Sequence, residues 1–432
     1  MIAPGPLRRC VITGLGLITP IGTGRGVFWD GVRAGRRGVG PLTRFDASAL
    51  RTRIAGEVPD FDPGAHLNGK RPHRLDRFAQ FSIAAARLAL DDAGLSIGNG
   101  VRDVRPDETA VAIGSALGGV PSAEADHADF LAKGPRAVPA SLALRVFAGA
   151  GACNVAIEIG SRGPAIGNSN SCASGAIAIG EGLRQIRSGL VNVVIAGGVE
   201  APLAPLTFTA FAVIKAMSTS NEDPAEASRP FDARRDGFVM AEGAALLVLE
   251  EAEHAAARGA RIYAELAGFG TTNDAFHMTA PQPEGRDAIR AMKIALHDAG
   301  LTPEEIEHVN AHGSSTPLND KVETHAIKEV FGERARRIPV SGTKGMHAHA
   351  LGASGAMEAA IASLTISDGW LPATTNLRVR DPECDLDYVA GTGRRETIRT
   401  VLSNSFGFGG TNACLVFREP ESPASPVTRR SR

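Results

Sequence analysis

The sequence predicts an α/β protein built as two halves on one plan, and three observations carry that prediction. First, segments recur in order: Arg87-Leu-Ala-Leu-Asp-Asp-Ala-Gly-Leu95 returns as Lys293-Ile-Ala-Leu-His-Asp-Ala-Gly-Leu301, and Ala173-Ser-Gly-Ala176 as Ala353-Ser-Gly-Ala356. Ala245-Leu-Leu-Val-Leu249 likewise resembles Ala413-Cys-Leu-Val-Phe417. Second, β-branched runs such as Val191-Asn-Val-Val-Ile195 and Ile338-Pro-Val-Ser341 alternate with helical spacings, Ile179/Leu183/Ile186 and Ala356/Ala360/Ile361/Leu364. That alternation is the pattern of buried sheets covered by helices. Third, Gly94 and Gly300 stand where the two matched helices should end, since glycine accepts the left-handed backbone that closes a helix.

The spacing between matched segments shrinks along the chain, which places roughly 40 extra residues in the first half, between Leu95 and Ala245. The expected division is 1–255 and 256–420, with the Pro/Ser/Arg-rich residues 421–432 as a disordered tail. The chain has 432 residues, with 46 Lys and Arg against 47 Asp and Glu, so no basic field exists to attract nucleic acid or an anionic membrane surface. No apolar run reaches the length of a membrane span. Five scattered cysteines (Cys10, Cys153, Cys172, Cys384, Cys414) form no C-x-x-C pair and no disulfide framework, so they read as reduced thiols of a cytoplasmic protein.

Four segments carry chemistry. Asn168-Ser-Asn-Ser-Cys172-Ala-Ser-Gly-Ala176 is a small-residue turn leading into an amphipathic helix, and a cysteine at a helix start is favoured as thiolate. An inert buried thiol fits the same segment. In Val309-Asn-Ala-His312-Gly-Ser-Ser-Thr316 an imidazole follows an apolar strand, where ligand sites of α/β sheets collect. A capping or core histidine is the alternative there. Asp320 and Glu323 follow as acids of a first helical turn. Gly342-Thr-Lys344-Gly-Met-His347-Ala-His349-Ala-Leu-Gly352 precedes the second copy of the Cys172 helix, so the repeat brings His349 close to the place its twin gives Cys172. A cysteine and two histidines there could hold zinc (Cys172, His312, His349, with His347 in reach), but no pair has zinc-finger spacing and no metal is expected. The fourth segment, Asn404-Ser-Phe406-Gly-Phe408-Gly-Gly-Thr411-Asn412, is a Gly-rich loop without a phosphate-loop pattern, suited to turning backbone N–H groups toward a reacting carbonyl.

The Cys172 segment, Asn310-Ala-His-Gly-Ser-Ser-Thr-Pro-Leu-Asn-Asp320, Thr343-Lys-Gly-Met-His-Ala-His349 and Gly407-Phe-Gly-Gly-Thr-Asn412 together resemble the elongating β-ketoacyl-acyl-carrier-protein synthases of the thiolase superfamily. Val11-Ile-Thr-Gly-Leu-Gly16, Met217-Ser-Thr219, Arg229-Pro-Phe-Asp232, Arg235-Asp-Gly-Phe238 and Asp274-Ala-Phe-His-Met-Thr279 agree. The resemblance implies a thiolase fold, two duplicated halves in a five-layered αβαβα sandwich that dimerises. It implies Cys172 as the acyl-accepting nucleophile, His312 and His349 as the pair acting on malonyl thioester, and N–H groups of Cys172 and Phe408 as the oxyanion hole. Lys344 with Asp320 and Glu323 would form a charged cluster behind the histidines, Phe408 a gate, and Leu117, Ser314, Thr316 and Phe406 substrate contacts. The partner would be an acyl carrier protein supplying phosphopantetheine, with no cofactor bound, in a homodimer or beside a homologous chain-length-factor subunit.

Two features depart from the common fatty-acid pattern: the polar approach Asn168-Ser-Asn-Ser171, and Arg136-Ala-Val-Pro-Ala-Ser-Leu142 without bulky aromatics. They raise a polyketide or polyene pathway beside fatty acid synthesis. A non-catalytic chain-length factor would lack Cys172. A coenzyme A thiolase would carry a second cysteine in a C-x-G setting, whereas Cys414 is followed by Leu-Val.

Overall fold

The computed structural model describes residues 7–67, 72–95, 97–98, 100–101 and 104–421, so residues 422–432 of the expected tail lie outside the described residues. Strands β1 (Cys10–Thr19), β2 (Thr109–Gly114), β3 (Ala165–Asn168), β4 (Val193–Glu200) and β5 (Gly243–Glu251) lie in the spatial order β3-β2-β4-β5-β1. Strands β6 (Ala264–Asn273), β7 (His308–Asn310), β8 (Val340–Ser341), β9 (Thr400–Gly407) and β10 (Thr411–Arg418) repeat it as β8-β7-β9-β10-β6. In both sets the two outer pairings are parallel and the two inner ones antiparallel. The sets join edge to edge, Val11 opposite Glu265 and Ile12 opposite Ala264.

Three buried apolar clusters correspond to three helical layers. Helices α1 (Arg77–Asp92) and α2 (Ala150–Ile159) cover the first sheet, α4 (Arg286–Ala299) and α5 (Asn319–Phe331) the second, and α3 (Ser174–Arg187) and α6 (Ser354–Asp368) lie between. The middle layer explains the all-round burial of α6 from Ser354 to Thr365, because a helix flanked by two sheets has no face left for water. Gly94 and Gly300 do follow α1 and α4 with φ of 70° and 67°. The repeat extends to sterics: a Cβ on Gly14 or Gly16 would meet the carbonyls of Ala89 and Ala85, and one on Gly268 or Gly270 those of Ala295 and Ala291, at 1.9 to 2.3 Å. β1 and β6 are therefore packed backbone to backbone on α1 and α4.

The extra chain of the first half is more dispersed than the matched segments indicated. One part lies before Leu95, between β1 and α1; a second includes the helix Val120–Lys133; a third is the connection 201–242 between β4 and β5. The second half has only the turn Phe408–Gly410 at that last place, and its own long connection follows α6. Among the described residues no helix is long and apolar enough to cross a membrane.

Candidate active site

Cys172 lies in the turn Ser171–Ala173 directly ahead of α3, and its counterpart turn Leu351–Ala353 stands ahead of α6. Ser171 and Leu351 occupy matching places with positive φ of 49° and 41°, so the two turns share one constrained shape. Gly175 and Gly355 let them meet, since a Cβ on Gly175 would lie 2.7 Å from the Gly352 carbonyl and one on Gly355 3.1 Å from the Ala176 Cβ. The thiol of Cys172 is only 8% exposed, and burial pushes it up to about 12 against the opposing pull of Lys344 and the backbone N–H of Phe408. Here the structure corrects the helix-start expectation: desolvation outweighs the favourable backbone groups, and the resting group is a neutral thiol.

His312 follows β7 and His349 follows the short helix Lys344–His347. Their ring centroids are 5.3 Å apart at 78°, with Phe238 edge-on to His349 at 5.3 Å and Phe406 at 5.9 Å from His312. Both are held well below the ordinary histidine range, first by burial and then by the charge of Lys344, so both rings are neutral near pH 7. Lys344 Nζ sits 3.4 Å from His312 Nδ1 and donates to the His312 carbonyl at 2.5 Å. An ammonium has no acceptor, so His312 Nδ1 accepts and the ring proton is on Nε2. His349 Nδ1 lies 2.9 Å from Ser354 Oγ, whose hydroxyl can fix the same tautomer.

The charged cluster differs from the expected one. Lys344, fully buried, pairs with Glu358 rather than with Asp320 or Glu323. Burial pushes Glu358 up to about 7 while Lys344 opposes it. Glu323 instead accepts the N–H groups of His312 and Gly313 at 2.7 and 2.8 Å and the Asn404 amide at 3.1 Å, which fixes the loop carrying His312. Asp320 accepts the Phe231 N–H at 2.8 Å and lies 3.6 Å from buried Arg235. Both carboxyls are raised, desolvation being the largest cause. Glu358 was missed by sequence reasoning, although an acid inside Ala356-Met-Glu-Ala-Ala360 was its signal.

Cys172, His312, His349, Ser314, Thr316, Phe406 and Phe408 line one cavity of about 330 Å³. Ser314 and Thr316 share a hydroxyl contact of 2.9 Å. The connection 201–242 supplies Ile214, Lys215, Asp236 and Phe238, residues to which the motifs assigned no role. Leu117 is absent from the lining of this cavity and belongs, with Phe408, Phe211 and Cys172, to an adjoining apolar cluster. His347 is buried outside the cavity with Nε2 3.1 Å from Thr343 Oγ1. Among the described residues no three His, Cys, Asp or Glu side chains are arranged to hold a metal ion.

Profiles of the β-ketoacyl synthase N-terminal and C-terminal domains match residues 7–255 and 263–378. The chain belongs to the β-ketoacyl synthase family. A 3-oxoacyl-[acyl-carrier-protein] synthase 2 of Synechocystis sp. is 46% identical over 412 residues, 95% of this chain and 98% of that protein. That of Coxiella burnetii is 45% identical over 409 residues, again 95% and 98%. Among solved structures, the ishigamide ketosynthase/chain length factor superposes with a TM-score of 0.89 at 37% identity, covering 96% of this chain and 100% of that one. The ketosynthase complex AntDE:AntF, a type II PKS acyl-carrier protein with its ketosynthase bound to the hexaketide, gives 0.88 at 34%, with the same coverage. The β-ketoacyl synthase described here thus has the thiolase fold and the elongating condensing activity of an acyltransferase in fatty acid or polyketide synthesis.

Proposed function

We propose that this synthase accepts an acyl chain on Cys172 from the phosphopantetheine thioester of an acyl carrier protein and condenses it with malonyl thioester. The observation that carries this reading is the meeting of Cys172, His312 and His349 in one cavity. Cys172 Sγ attacks the acyl thioester, its proton passing to the departing carrier thiol, and the N–H groups of Cys172 and Phe408 hold the carbonyl oxygen. Malonyl thioester then enters, and its oxygen accepts hydrogen bonds from Nε2–H of the neutral His312 and His349 while CO₂ leaves. The enolate carbon bonds to the acyl carbonyl, the C–S bond to Cys172 breaks, and the departing thiolate takes a proton from solvent, leaving the chain on the carrier two carbons longer.

Lys344 and Glu358 act as positioning residues, the ammonium setting the His312 tautomer. Ser314 and Thr316 offer hydroxyls to the amides of the pantetheine arm. No bound cofactor is required by this chemistry. The division at residue 255 then separates a half carrying the nucleophile from a half carrying both histidines. Five unpaired cysteines suit a reducing, cytoplasmic setting. Helix Val120–Lys133 has no buried residue and the edge strand β3 is largely exposed, which supports a dimer, with an identical or a chain-length-factor subunit. Cys172 argues against a purely non-catalytic subunit. Intact-mass spectrometry after incubation with acyl-carrier-protein thioesters tests the reading: one acyl adduct is expected, lost in Cys172→Ala, and condensation retained by that variant would overturn it.

A further inference from the structure

Glu200 ends β4 fully buried beside the site, and no step above uses it. Its Oε1 accepts from Ser115 Oγ at 3.0 Å and from the Leu117 N–H at 3.1 Å. Its Oε2 accepts the N–H groups of Ala116 at 2.7 Å and Gly352 at 3.0 Å. One carboxylate therefore joins the loop bearing Leu117, which shares an apolar cluster with Cys172, to the turn that follows His349. Ser169 Oγ also donates to the Ala116 carbonyl at 2.7 Å, so the same loop is tied to the approach to Cys172.

The internal repeat shows why a carboxylate stands here. Gly352 occupies the place of Cys172, as the matched Ala353-Ser-Gly-Ala356 and Ala173-Ser-Gly-Ala176 require. By strand register Glu200 lies opposite Gly243 as Gly407 lies opposite Thr411, which makes Gly407 the counterpart of Glu200. A Cβ on Gly407 would sit 3.1 Å from the Cys172 nitrogen. In one half glycine leaves the N–H of the turn open to a reacting carbonyl, and in the other the Glu200 side chain fills that place and turns it into a clamp. A Cβ on Gly352 would lie 2.8 Å from Glu200 Oε2, so the close approach depends on glycine.

We propose that Glu200 is a positioning residue whose carboxylate ties the loop bearing Leu117 to the histidine turn and so determines how sharply Cys172 discriminates among acyl lengths. The proposal rests on Cys172 as acyl carrier and assigns a specificity role to a group that touches no substrate. Glu200→Gln keeps the shape but loses an acceptor oxygen, and Ser115→Ala removes the hydroxyl donor together with the acceptor of the Gly118 N–H. The experiment loads wild type and both full-length variants with acyl-carrier-protein thioesters of two to sixteen carbons and follows the Cys172 adduct by intact mass. In Glu200→Gln the rate ratio between best and poorest donor is expected to shrink about tenfold, the scale of one lost charge-assisted hydrogen bond. Ser115→Ala should shrink it in the same direction by a smaller factor, which decides the matter should Glu200→Gln not fold. A uniform fall for all donors, or unchanged ratios in folded variants, would overturn the proposal. Absence of any Cys172 adduct in the wild type would instead overturn the acyl-carrier reading.

Discussion

If two neutral imidazoles share one thioester oxygen, removing one must slow malonyl decarboxylation while leaving acyl loading of Cys172 intact. The 5.3 Å between the His312 and His349 centroids lets both reach a single atom, so His349→Ala leaves one donor in place. Loss of one preorganised oxyanion donor costs about 10²–10³-fold in rate, roughly 2.7–4 kcal/mol. Ser354→Ala removes only the partner 2.9 Å from His349 Nδ1 and should cost far less, on the order of 0.5–1.5 kcal/mol or up to about tenfold. The assay is CO₂ release from malonyl-acyl-carrier-protein in a Cys172→Ala background, with the acyl adduct measured separately in the histidine variants. Decarboxylation by His349→Ala at the parent rate would refute the assignment, and so would a Ser354→Ala loss as large as that of His349→Ala.

With its thiol pushed up to about 12, Cys172 should be alkylated by iodoacetamide about tenfold faster per pH unit from about pH 6 to 9, measured by peptide mapping; a plateau near pH 8 would contradict burial as the dominant cause. Both active-site histidines are depressed and stay neutral, so decarboxylation should show no fall as pH drops through about 6.5, and an inflection there would mean an imidazolium forms. Lys344→Met leaves Glu358 buried without its partner and should lower stability to urea by about 3–5 kcal/mol, with Glu358→Gln added to it restoring part of the loss. Gly16→Ala places a Cβ 1.9 Å from the Ala85 carbonyl and should lower the thermal midpoint, a cost of about 1–3 kcal/mol or more. Gly26→Ala, in the helix Arg25–Arg33 with nothing within 4 Å, should raise it by up to about 1 kcal/mol; matching shifts in the two would refute the packing argument.

The candidate site was legible because each of Cys172, His312 and His349 stands in a short, small-residue segment at the end of a strand or the start of a helix. The repeat alone placed His349 near Cys172, since matched helices beginning at matched turns must open on one space. What was not legible shares a physical cause. Glu358 and Glu200 are single acids inside apolar runs, and nothing in spacing says which buried cation or N–H groups an acid will meet. The thiol's acidity turns on the contest between the start of α3 and desolvation, and only packing decides it. The connection 201–242 has no repeat partner and little periodicity, so Ile214 and Lys215 had no signal pointing to the cavity, and Asp236 and Phe238 had one only through the motif Arg235-Asp-Gly-Phe238.

Duplication also accounts for the chemistry being split between halves. Two copies of the same turn-and-helix, related by an approximate two-fold, face each other across Gly175 and Gly355, so any group at the start of one helix is presented to the other. The first copy keeps a cysteine at the turn and glycine beyond it at Gly407, which leaves an N–H pocket open beside the sulfur. The second copy has glycine at the turn, carries His349 three residues earlier, and closes its pocket with Glu200. Cys172 and His349 stand in or beside the turns that open the two central helices, and His312 stands just past the end of β7. The long first-half connection reaches the same space from outside the repeat, lining the cavity through Ile214, Lys215, Asp236 and Phe238 and setting the Phe238 ring edge-on to His349.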